Sequence, residues 1–161
     1  MERKSIAEKG FTMVEIIVTM TVFVMLVLVA TVGILNWQDY SDRRRQEEYA
    51  QNIYLAAQQE LASYISKGLL KDLQKSVNPD KEGICHITAE KNDYSAYKSG
   101  NTTASDSAEL VFRFLEKRIG DAEVLNGYIA IDYHPDGMVK GVYYCDKEDR
   151  ENFMGYYGGE E

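Results

Sequence analysis

The 161-residue chain has only two histidines, two cysteines and two prolines. Two histidines exclude a site built on several imidazoles. No G-x-S-x-G string, paired metal-ligand motif or Gly-rich phosphate loop appears, so neither an enzyme nor a bound cofactor is expected. Basic residues are also short: 18 Lys and Arg stand against 26 Asp and Glu, a formal net charge of −8. General nucleic-acid binding needs a basic face to neutralise phosphates, so no direct nucleic-acid partner is expected. Two prolines and 12 glycines exclude a collagenous or linker-like chain.

The apolar residues that are present are unevenly spread. Residues 13–35 contain Glu15 as their only charged residue. An apolar run of 18 or more residues is long enough to cross a bilayer as a helix. Val and Ile are tolerated in it because lipid leaves the backbone no partner except its own helix. Arg3, Lys4 and Lys9 precede the run and favour an N-terminus held in the cytoplasm with the remainder outside. Arg43, Arg44 and Arg45 beyond the run act against that orientation. A secretory signal peptide has a shorter apolar core followed by a small-x-small cleavage site, and neither is found here.

Glu15 is the anomaly. A carboxylate at the centre of a membrane helix costs about 2.5–3.5 kcal/mol on insertion scales, which marks it as functional by default. No Lys or Arg follows it before Arg43, so a cationic partner is expected from another chain or from a new terminus. The local string is Lys9-Gly10-Phe11-Thr12-Met13-Val14-Glu15, ahead of the apolar run. A short basic leader, then Gly, Phe, Thr, two apolar residues and Glu resembles the prepilin family: type IV pilins and the pseudopilins of secretion and competence systems. Trp37-Gln38-Asp39-Tyr40 also resembles the segment that follows the membrane helix in pilins. The resemblance covers about residues 1–65.

The resemblance implies cleavage after Gly10 by a prepilin peptidase and N-methylation of Phe11. It implies that Glu15 pairs with the α-amino group of a neighbouring subunit. It also implies other pilin or pseudopilin subunits and an assembly platform protein as partners. A buried ion pair sets register, because removing one member strands the other. The family's helix often carries a Pro in its membrane half. No Pro occurs here before Pro79, which weakens any expectation that the helix melts in a filament.

The helical pattern continues past the apolar run. Ala50, Ile53, Tyr54, Ala57, Leu61, Tyr64 and Ile65 recur mostly every three or four residues, with Gln51, Gln58, Gln59 and Ser66 opposite. One helix from about Phe11 to about Ile65 would be about 80 Å long. Its first half is membrane-spanning and its second half amphipathic, packed on a head. Gly68 and then 76–79 are stop signals.

In the remainder, residues 83–90 alternate as a strand with Cys85, Ile87 and Ala89 on one side. Residues 91–106 read as a loop. Asp106 and Glu109 resemble a capping box opening a helix over 107–119, with Gly120 as its stop. Residues 127–146 read as a β-hairpin around the turn His134-Pro135-Asp136-Gly137. The tyrosine-rich end after Gly155 reads as flexible and exposed, or as a terminal strand. Fold class is therefore α+β: a long N-terminal helix on a small head with an antiparallel sheet, which the resemblance makes pilin-like. The expected divisions are a leader at 1–10, a helix at 11–66 (membrane segment 13–35) and a head at 67–161.

Cys85 and Cys145 are an even pair in a head expected outside the cell, so a disulfide between them is one candidate and two separate buried thiols the other. Asp132, Asp136 and Asp146 are weak calcium candidates, because carboxylates suit that ion but their spacing matches no calcium loop. The resulting expectation is a structural subunit, a minor one, of a type IV pilus or of a secretion or competence pseudopilus. It is membrane-anchored before assembly and part of a surface filament afterwards. The alternative is a monomeric, single-pass anchored protein whose head binds an extracellular partner.

Overall fold

A computed structural model describes residues 12–70, 77, 79–100 and 105–159. Helix α1 runs from Met13 to Ser66. The chain divides into two units, Met1–Tyr40 and Ser41–Glu161. The boundary falls inside α1, so residues 41–66 fall in the second unit with the head.

In the first unit every residue from Thr12 to Tyr40 is exposed. Apolar side chains cover all sides of α1 here, so no face is set aside for a core.

In the second unit, α1 has one buried stripe: Gln46, Ala50, Ile53, Ala56, Ala57, Glu60 and Leu61. The remaining elements are β1 (Cys85–Ala89), α2 (Asp93–Lys98), α3 (Asp106–Leu115), α4 (Ala122–Leu125), β2 (Tyr128–Tyr133), β3 (Val139–Cys145), α5 (Arg150–Phe153) and β4 (Gly155–Gly158). The strands form one antiparallel sheet in the order β1-β2-β3-β4. Period-two alternation puts Cys85, Ile87, Ala89, Ile129, Ile131 and Tyr133 on its buried face. Aromatic edges join that layer to the helices. Tyr49 meets Tyr144 at 5.3 Å, Tyr54 meets Tyr157 at 5.1 Å, and Tyr64 meets Phe114 at 5.7 Å between ring centres.

Several expectations are corrected. The cap of α3 is Ser105, whose hydroxyl accepts from the Ala108 N–H, and the helix stops at Leu115 rather than near Ile119. Helix α2 lies within the stretch expected to be a loop; its N-cap, Asn92, adopts a left-handed backbone. Of the two readings of the residues after Gly155, the strand is the one formed: β4 pairs with β3, Tyr156 opposite Tyr143 and Tyr157 opposite Val142. The β2–β3 hairpin forms around 134–138 as expected, with a register shift at Asp132/Tyr133.

Polar side chains of α1 hold the head together. The buried Gln46 amide donates to the Asp146 carboxylate at 2.6 Å and accepts the Asp146 N–H at 3.2 Å. Gln58 accepts the Val139 N–H at the start of β3. Asp42 pairs with Lys147 at 2.8 Å, which holds its carboxyl below the usual range. β4 passes so close to α1 that a Cβ on Gly155 would sit 2.3 Å from the Gln46 carbonyl carbon.

Candidate functional site

The expected processing residues Gly10 and Phe11 lie outside the described residues. Glu15 lies in the first turn of α1. The first N–H groups of any helix lack intrahelical acceptors. Here Thr12 and Glu15 form a reciprocal cap. The Glu15 N–H donates to the Thr12 hydroxyl at 3.3 Å, and the Thr12 N–H donates back to Glu15 Oε2 at 3.1 Å. The Thr12 hydroxyl donates to the same oxygen at 3.1 Å. This is the capping box S/T-x-x-E, a signal carried by the string Thr12-Met13-Val14-Glu15 itself. A carboxylate at a helix N-terminus also opposes the positive end of the helix dipole.

The first partners of Glu15 are thus within its own turn; they are neutral donors, not the cationic partner expected from another chain or from a new terminus. A carboxylate offers about four acceptor positions, so Glu15 keeps capacity for a further donor.

From Met13 to Leu35 the helix presents Val, Ile, Leu, Met and Phe to its surroundings; Phe23 is 63% and Leu26 64% exposed. Among the described residues, α1 is the one helix long and apolar enough to cross a membrane by length and composition. Thr19, Thr21 and Thr31 fold their hydroxyls onto the carbonyls of Glu15, Ile17 and Val27, so their polar atoms are satisfied within the helix. Of the arginines beyond it, Arg45 pairs with Asp42 at 2.6 Å, and Arg43 lies over the Phe153 ring.

The candidate disulfide does not form; Cys85 and Cys145 are both free and buried. Cys85 stands opposite Tyr133 and Cys145 opposite Tyr128, at the two ends of β2. Five residues of strand span about 17 Å, whereas a disulfide needs Cα atoms within about 7 Å. Burial pushes both thiols up.

The three calcium candidates do not converge either. Asp132 meets His86, Asp136 accepts the Met138 N–H within its own turn, and Asp146 meets Gln46. Among the described residues no group of three or more His, Cys, Asp or Glu side chains is placed to hold a metal ion.

One titratable cluster was not anticipated from sequence. His86, on edge strand β1, lies between two carboxylates: Nδ1 is 2.7 Å from Asp132 Oδ1 and Nε2 is 3.1 Å from Asp80 Oδ2. The strand register places Asp132 directly opposite His86. Asp80 comes from the loop before β1, where its other oxygen accepts the N–H groups of Glu82 and Ile84. Asp80 first and then Asp132 raise the His86 pKa; the Ile84 N–H first and then His86 lower that of Asp80. The two ring nitrogens point to opposite sides, so the carboxylates share no point at which a metal would sit.

No protein-family model, curated protein or solved structure matches the chain.

Proposed function

We propose that the chain is a structural subunit, a minor one, of a type IV pilus-like or pseudopilus-like filament. Its leader is removed after Gly10 by a prepilin peptidase, and Phe11 becomes the methylated N-terminus. The processed chain sits in the membrane through residues 13–35 with its head outside until an assembly platform inserts it among other subunits. In this reading it is a substrate of processing enzymes and does no chemistry itself.

The observation that carries the reading is the apolar surface of residues 13–35 of α1, exposed on every side, with Glu15 as the only charge in it. Such a surface needs lipid or other helices to cover it. Lipid covers it in an anchor, whereas helices of like sequence cover it in a filament. The order Gly10-Phe11-Thr12-Met13-Val14-Glu15 favours the filament.

The Thr12–Glu15 capping box favours a second reading, because it accounts for the carboxylate without a second chain. In that reading the protein is a monomeric single-pass anchor whose head binds an extracellular partner.

Glu15→Val separates the two. For a subunit, the variant is processed normally and stays in the membrane fraction, absent from sheared filaments that contain the unsubstituted chain. Normal incorporation of Glu15→Val would defeat the role given to Glu15. Absence of the unsubstituted chain from sheared material would favour the anchor.

A further inference from the structure

The site in the head with the most specific geometry is His86 between Asp80 and Asp132. Ionised carboxylates are acceptors only, whereas neutral imidazole has one donor and one acceptor nitrogen. Both ring nitrogens of His86 face a carboxylate oxygen, at 2.7 and 3.1 Å. Only the imidazolium, with two N–H donors, satisfies both contacts. In the neutral ring one lone pair faces an oxygen lone pair, and that contact becomes repulsive.

We propose that His86 is a protonation-dependent clasp: as the imidazolium it ties the 79–84 loop to the outer face of the sheet through Asp80 and Asp132, and as the neutral ring it releases one side. Asp80 is the side that lets go. Asp132 is fixed on β2 opposite His86, at the shorter distance. Asp80 belongs to a loop that holds its own shape. Its Oδ1 accepts from Glu82 and Ile84, its N–H donates to the Ile84 carbonyl, and Gly83 supplies the positive φ of the turn. The loop therefore moves as a preformed turn.

The surroundings favour this behaviour. The charged groups acting on His86 are Asp80 from the loop and Asp132 from β2. Tyr128 on β2 and Tyr143 on β3 are neutral neighbours of Asp132, and the phenol of each is pushed up, chiefly by burial. Across β3 the position opposite Asp132 is Gly141, which brings no side chain to compete for the carboxylate. The His86 side chain is 49% exposed, so protons reach it without unfolding.

The direction of the pH dependence follows. The folded imidazole holds its proton more tightly than an unfolded one. The clasp's stabilisation is therefore complete below the ordinary value of 6.5 and is lost as pH rises through the raised folded value. Asp80 acts in the opposite sense. Its contribution is present above the ordinary carboxylate value of 3.8 and is lost as pH falls through its lowered folded value. The loop is held in the mildly acidic window between them.

The test is an NMR titration of the isotope-labelled full chain in detergent micelles from pH 5 to 9. His134→Gln identifies which imidazole signals belong to His86. His86 is expected to titrate above 6.5, with the Glu82 and Ile84 amide shifts moving at the same midpoint. Asp80→Asn and Asp132→Asn, which keep one side-chain oxygen and remove the negative charge, each lower the midpoint; each unit is a tenfold loss in proton affinity. His86→Gln removes the midpoint from the loop amides. A His86 midpoint at or below 6.5 would overturn the clasp. So would loop amides that stay unmoved through the His86 titration.

Discussion

Replacing Gly155 by Ala tests how the head is fastened to its helix. A Cβ at this position would lie 2.3 Å from the Gln46 carbonyl carbon, 2.4 Å from its oxygen and 2.6 Å from the Glu47 nitrogen. Optimal contact between carbon atoms is about 3.5–4.0 Å, so the overlap exceeds 1 Å. The atoms met are helix backbone and cannot swing aside as a side-chain tip would. β4 and α1 must separate instead. Overpacking of this kind costs about 1–3 kcal/mol. The separation also strains the paired hydrogen bonds between Gln46 and Asp146, and a buried polar group left unsatisfied costs about 1–3 kcal/mol. The two effects share one displacement, so about 3 kcal/mol is expected in total, lowering the melting temperature by about 10 °C. Near-UV circular dichroism of the full chain in detergent micelles follows the packed tyrosines of the head as the sample is heated. Gly33→Ala is the control: nothing lies within 4 Å of its Cβ position, and the head transition should not move. A Gly155→Ala protein melting within about 1 °C of the unsubstituted chain would refute the close approach of β4 to α1.

Two further outcomes follow from the buried sheet face. The Tyr133 hydroxyl is buried without a nitrogen or oxygen partner among the described residues, with only the Cys85 thiol against it. Tyr133→Phe is therefore expected to be neutral or stabilising by up to about 1 kcal/mol in urea unfolding, and a loss above about 1 kcal/mol would mean the hydroxyl has a stronger partner. Cys85 and Cys145 are expected to resist alkylation at pH 8 in the folded protein, because burial raises both thiols, and to count as two free thiols after denaturation without reductant. A count of zero would restore the disulfide.

The parts of this fold legible in the sequence are those set by local periodicity. The β2–β3 hairpin follows from alternation and the Pro135-Asp136-Gly137 turn, and β1 from Cys85, Ile87 and Ala89. Ala50, Ile53, Ala57 and Leu61 are buried where their spacing puts them. Contacts made at long range were not legible. The buried Gln46 is held by Asp146, one hundred positions away. Gly155 and Gly158 lie in a stretch that reads as either a flexible end or a strand; the first allows the helix approach and the second leaves room for the Tyr156 hydroxyl. His86, Asp80 and Asp132 carry no common motif, and only the β1–β2 register brings Asp132 to His86. The Thr12–Glu15 box, by contrast, is fully local and carried by four consecutive residues.

The central claim rests on residues 10–15, and the mass of the N-terminal peptide of the protein from its native cells tests it most directly. The account predicts a peptide that begins at Phe11 with one methyl group on its amine. A peptide that retains residues 1–10 would contradict it and leave a membrane-anchored binding protein as the better description.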